Sequence, residues 1–132
     1  MSGTGQAGGA ASDDVGGLEQ LLLDPTRLTI MSLVSATTWC EFAFVRDHAH
    51  LRDSALSKQL TTLGNAELVE IRKGYVGKRP RTWVRATAVG RERLRAHLAA
   101  LQQIADRAEQ AAAARPDAEA DAGAGAQQPH TG

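Results

Sequence analysis

Apolar positions recur at helical spacing through most of this chain and switch to alternation only between Leu68 and Thr87. Asp24-Pro25 supplies an N-cap and a first-turn proline, which predicts a helix from Pro25 to about Ala36. Leu28, Met31 and Ser35 share one face of it and Ile30 and Val34 its flank, a broad stripe that has to pack on something. Leu18, Leu21, Leu22 and Leu23 precede it as a helical turn or as a dimer-facing arm. Thr37, Thr38 and Trp39 are β-branched or aromatic and predict one short strand. The following segment, Glu41 to His50, reads as a short helix with Phe42, Val45 and Ala49 inward and Arg46, Asp47 and His48 wet.

A third helix is capped by Asp53 or Ser54 and buries Leu56, Leu60 and Leu63 at i, i+4 and i+7. Its opposite side shows Ser54, Ser57, Lys58, Thr61 and Thr62, with no carboxylate after Asp53, so it can approach phosphates and base edges without repulsion. Alternation then predicts strands at Leu68–Lys73 and Thr82–Thr87, joined by a turn containing Gly74, Gly77 and Pro80. Lys73, Lys78, Arg79 and Arg81 are expected at the tip and edges of this hairpin. Thr87 caps a last helix through Gly90, Leu94, Leu98, Leu101, Ala105 and Ala108, a spacing that matches a coiled-coil seam. Leu94 is expected in the core; Leu98, Leu101 and Ile104 are expected to serve self-association.

With 132 residues the chain holds one domain at most. Residues 1–17 contain six glycines, and residues 110–132 are rich in Ala, Gly, Gln and acid, so both ends are expected to be disordered tails. The domain between them, residues 18–109, is large enough for one small core and too small for an extensive substrate cleft. Cys40 stands alone, which fits a reducing compartment, and neither a secretory leader nor a membrane span is read, so a cytoplasmic location is expected.

Fifteen basic residues balance fifteen acidic ones, but their positions are segregated. Between Arg72 and Arg95 lie nine basic residues and a single acid, Glu92, whereas residues 1–26 carry four acids and no base. A basic centre between acidic ends points to a polyanionic partner; a solvated basic surface is the plainer alternative.

Helix, short helix, Ser-containing helix, basic hairpin and long helix follow in the order of a winged helix-turn-helix. The segments Asp24-Pro25-Thr26-Arg27-Leu28, Leu56-Ser57-Lys58-Gln59-Leu60-Thr61-Thr62-Leu63, Leu68-Val69-Glu70, Lys73 to Trp83 and Thr87-Ala88-Val89-Gly90-Arg91 resemble bacterial transcriptional regulators of the ArsR/MarR-like winged-helix group. The resemblance implies an α+β, mostly helical fold with a two-stranded basic wing and a long C-terminal helix. It also implies a homodimer that binds double-stranded DNA and regulates transcription. On that reading Ser54, Ser57, Lys58, Gln59, Thr61 and Thr62 lie on the major-groove helix, about residues 54–63, and Lys73, Tyr75, Lys78, Arg79 and Arg81 lie on the wing. Gln59 has the amide to grip adenine, although its neighbour Leu60 draws it toward burial. Many relatives have Gly where Glu67 stands, so here Gly64 or Asn65 is the expected left-handed residue, ending the helix early. A small-molecule ligand between the dimer helices is compatible with the group, and nothing in the residues identifies one.

Other chemistries find less support. His48 and His50 diverge by about 200° on a helix and grip one ion poorly, so no metal and no cofactor are expected. Cys40 has no visible third group for nucleophilic catalysis and no enzyme is expected; thiol sensing stays open. Trp39, Trp83 and Tyr75 are too scattered for a stacking platform; Trp83 is expected to pack the hairpin onto the helices. The competing functional class is a winged-helix adaptor that binds protein instead of DNA.

Overall fold

The computed structural model describes residues 16–115. A 3-10 turn, Gln20–Leu23, precedes helix α1 (Pro25–Ser35), strand β1 (Cys40–Glu41) and helices α2 (Phe42–His48) and α3 (Asp53–Asn65). The hairpin β2 (Val69–Val76) and β3 (Arg79–Ala86) follows, and α4 runs from Ala88 to Ala114. The three strands form one antiparallel sheet in the order β1-β3-β2. This is the α+β arrangement expected from the periodicities.

One core joins all the layers. Ile30, Met31 and Val34 of α1 meet Val45 of α2, Leu56, Leu60 and Leu63 of α3, Leu68 and Val69, Val84 and Ala86 of β3 and Leu94 of α4. The buried stripe of α1 centres on Ile30, Met31 and Val34, with Leu28 only partly covered. Leu22 is fully buried and Leu21 packs partly against the core, while Leu18 and Leu23 stay exposed.

The helix ends show where local reading meets tertiary structure. Asp24 caps α1 by accepting the Arg27 N–H at 3.0 Å. Thr87 caps α4 by accepting the Gly90 N–H at 2.8 Å, and its hydroxyl donates to the Glu67 carbonyl at 2.8 Å. Neither Asp53 nor Ser54 caps α3: Arg52 is the N-cap, without a side-chain bond, and Asp53 turns to Arg46. At its other end α3 continues through Gly64 and Asn65, and Glu67 takes the left-handed conformation with φ 64°. There the Leu68 N–H donates to Leu63 and the Glu67 N–H to Gly64, a Schellman closure that brings two buried leucines together. Burial of Leu63 and Leu68 therefore fixes which residue is left-handed, at the expense of strain in Glu67.

Other boundaries move as well. The residues expected as a strand, Thr37–Trp39, lie in a turn, and pairing begins at Cys40, opposite Val84. The short helix ends at His48, and His50 turns left-handed at φ 56°. The hairpin is longer and tighter than expected: Val76 pairs with Arg79, leaving Gly77-Lys78 as the turn, and Gly77 has the positive φ of 65° that primed turns require. Helix α4 passes the expected domain end at residue 109 and reaches Ala114. The tail residues 1–15 and 116–132 lie outside the described part of the chain.

Candidate nucleic-acid interface

Strand register assigns the hairpin residues to faces. Val69, Ile71, Lys73 and Tyr75 pair with Ala86, Val84, Thr82 and Pro80, and this set includes the buried Val69, Val84 and Ala86. Glu70, Arg72, Gly74 and Val76 pair with Arg85, Trp83, Arg81 and Arg79 on the other face. Trp83 thus lies on the outer face, against Gly74, and does not pack the hairpin onto the helices; Val84 and Ala86 do that. On the same outer side the Trp39 ring is flanked by the guanidinium groups of Arg72 and Arg85, 4.5 and 4.9 Å from its centroid.

Between α3 and the hairpin is an open groove of about 540 Å³. Ser57 and Thr61 of α3 line one side, Lys73, Arg81 and Thr82 the other, and Arg46 and Asp53 one end. Four of the expected site residues, Ser57, Thr61, Lys73 and Arg81, therefore share one concavity. Arg81, which strand register sets on the outer face beside Trp83, reaches the groove's rim and has its Nε buried without a hydrogen-bond partner among the described residues. Ser54 and Lys58 are exposed on α3, and Thr62 is half-buried. The hydroxyls of Thr61 and Thr62 donate to the carbonyls of Ser57 and Lys58, which leaves their oxygens as acceptors for a base amine. Tyr75 is 72% exposed near the hairpin end, with Lys78 in the turn and Arg79 exposed beside it.

Two site features escape a linear reading. Arg46 looked like a wet surface residue, but it bonds Asp47 and Asp53 at 2.9 Å each. Its hydrogen bond to Asp47, then that to Asp53, raises its pKa further above the usual arginine value; the bond from Arg46 also holds the Asp47 carboxyl below its usual range. The acid at the start of α3 is thereby matched by a base on α2. The second feature is Gln59, half-buried, whose Oε1 accepts from Arg27 Nη1 at 3.0 Å. A bidentate grip on adenine would have to break that bond.

The basic run from Arg72 to Arg95 does not form one patch. Arg85 pairs with Glu70, Arg93 with Glu19 and Arg95 with Glu92, while Arg91 donates to the Thr37 carbonyl at 3.1 Å. No group of three or more potential metal ligands occurs among the described residues. His48 Nδ1 lies 3.0 Å from the Phe44 carbonyl oxygen, and buried His97 accepts the Glu19 N–H at 3.0 Å. No helix among the described residues is long and apolar enough to cross a membrane.

A helix-turn-helix, a groove beside its second helix and a basic β-hairpin together define a winged helix. The family profile described as "Winged helix DNA-binding domain" matches residues 26–105, and the chain belongs to that family. The resemblance to winged helix-turn-helix regulators is thus borne out, and the family is a DNA-binding one, not one of enzymes. Among solved structures, a transcriptional regulator homologue from Pyrococcus horikoshii OT3 is similar, with TM-score 0.62 and 27% identity, over 67% of this chain and 87% of its own. The homodimeric winged helix-turn-helix domain of Mb0332 from Mycobacterium bovis, a possible ArsR-family regulator, superposes with TM-score 0.51 at 24% identity, over 83% of this chain and 94% of that one. AbsC, a MarR family regulator from Streptomyces coelicolor, gives 0.52 at 21%, over 93% and 97%. A search of the curated proteins returns no match.

Proposed function

We propose that this chain regulates transcription as a homodimer that binds a specific duplex DNA site through α3 and the wing. The observation that carries the reading is the groove in which the hydroxyl face of α3, with Ser57 and Thr61, meets the basic residues Lys73 and Arg81 of the hairpin. Ser54, Ser57, Lys58, Thr61 and Thr62 face the bases and phosphates of the major groove. Lys73, Lys78, Arg79 and Arg81 neutralise phosphates, and Tyr75 lies against the backbone or the minor groove.

Self-association is supported by the far part of α4. Leu98, Leu101 and Ile104 are exposed, and every described residue from Leu101 onward is exposed too. A helix held by its own chain on only its first turns gains from a second copy. The homodimeric Mycobacterium bovis domain is a precedent for such pairing. A symmetric pair presents two copies of α3 to successive major grooves, so the bound site is an imperfect palindrome.

Fluorescence anisotropy with labelled duplex, titrated over a range of salt, tests the interface. Replacing Lys73 or Arg81 by Ala should reduce the slope of log K against log[salt] by about 0.9 for each phosphate that is no longer neutralised. Slopes identical to wild type would remove these residues from the interface. Retention on heparin separates this reading from a protein-binding adaptor, which should elute at low salt.

A further inference from the structure

Helix α3 is tied to the rest of the domain by a polar connection that neither the apolar core nor the groove explains. Arg27, in the first turn of α1, donates from Nε to the Leu21 carbonyl at 2.8 Å and from Nη1 to Gln59 Oε1 on α3 at 3.0 Å. Its backbone N–H is at the same time held by the Asp24 cap. The carbonyl that receives it belongs to a strap, residues 19–23, anchored by fully buried Leu22. Glu19 fastens that strap to α4: its Oε1 accepts from Arg93 at 2.7 Å and its N–H donates to buried His97. Glu19 Oε2 in turn accepts the Leu21 N–H at 3.3 Å.

We infer that Arg27 is a positioning residue for DNA recognition, which sets the orientation of α3 by clamping Gln59 to the strap. The inference rests on the reading of α3 as the DNA-contacting helix. Gln59 adjoins Lys58 and lies three residues before Thr62, so a rotation of α3 about this clamp swings those side chains relative to the groove. A guanidinium is needed because its planar fork reaches two acceptors in different directions; the single nitrogen of a lysine cannot span both from the same stem. Arg27 is half-buried, and both of its described side-chain partners belong to this chain.

The test compares full-length wild type with Arg27→Ala, Gln59→Ala and the double variant. Each is titrated with a duplex selected by the wild-type chain and with a scrambled duplex, over a range of salt. Arg27→Ala should weaken the selected duplex about tenfold, the worth of one charge-assisted hydrogen bond, and leave scrambled-duplex binding and the salt slope unchanged. The double variant should be no weaker than the weaker single variant, because both remove the same clamp. Arg27→Lys should restore only part of the preference.

Three results overturn the inference: undiminished preference in Arg27→Ala, additive losses at Arg27 and Gln59, or a salt slope reduced by about 0.9, which would make Arg27 a phosphate contact. A wild-type chain that prefers no duplex overturns the DNA reading and this inference together, whereas preference retained in the variant overturns this one alone. Amide hydrogen exchange gives a readout without DNA. Arg27→Ala should speed exchange in α3 while leaving the β2–β3 pairing unchanged, and unaltered α3 exchange would also refute the clamp.

Discussion

Leu101→Asp tests whether the exposed seam of α4 joins two copies of this chain. Leu98, Leu101 and Ile104 keep 45%, 37% and 43% of their surface in water. Full burial of such a side chain is worth about 1.5–3 kcal/mol, so covering the remaining two-fifths adds about 0.6–1.2 kcal/mol at each position. A symmetric pair counts every position twice, which yields about 4–7 kcal/mol from the three, comparable with the lower end of the cost of association. Leu101→Asp removes about 1–2 kcal/mol of that gain and sets two carboxylates against the seam, for a total of at least about 3 kcal/mol. The dimer Kd should therefore rise more than about a hundredfold. Sedimentation velocity over roughly 1–100 μM reads this directly, with circular dichroism confirming that the monomer stays folded. A wild-type chain that remains monomeric over the whole range, or a variant that pairs as tightly as wild type, would refute the seam.

Further substitutions probe other parts of the account. Glu67→Gly relieves a left-handed residue at a small cost in chain entropy and should stabilise the fold by about 0.5–1 kcal/mol, read as a rise in Tm; a fall would mean that Glu67 is not strained. Gly90→Ala should do the reverse, because a Cβ there collides with the backbone carbonyl of Leu68 and no rotamer can relieve it. Its net cost should exceed about 2 kcal/mol despite the roughly 1 kcal/mol helix preference of alanine, and an unchanged denaturation midpoint would contradict the packing. In DNA titrations Lys58→Ala or Thr62→Ala should narrow the gap between a selected and a random duplex. Arg79→Ala should weaken both equally and flatten the salt slope; a change confined to site preference would reverse the division of labour between helix and wing.

Much of the fold is legible in the sequence because the relevant forces are local. Asp24 before Pro25 and Thr87 before Ala88 cap helices wherever the chain goes, and Leu56, Leu60 and Leu63 lie on one helical face by geometry alone. The alternation of the hairpin likewise sets Val69, Val84 and Ala86 on one face. Less legible is anything decided by distant partners. Glu67 rather than Gly64 is left-handed because Leu63 and Leu68 bury together, a tertiary gain that outweighs the local preference for glycine. Trp83 invites burial by its size, yet strand register places Val84 inward and Trp83 outward. The cluster of nine bases looks like one patch in a line of text, but ion pairs with Glu19, Glu70 and Glu92 and the contact of Arg91 with Thr37 claim four of them. Arg27 and Gln59, separated by 32 positions, give no sign in the sequence that they touch.

Selection of duplexes from a random library tests the central claim most directly, using the purified full-length chain at physiological salt with excess unlabelled competitor. Sequence-specific binding by a two-fold pair predicts enrichment of an imperfect palindrome with half-sites one helical turn, about 34–36 Å, apart. A folded chain that enriches no sequence, or only an unpaired half-site, would contradict it.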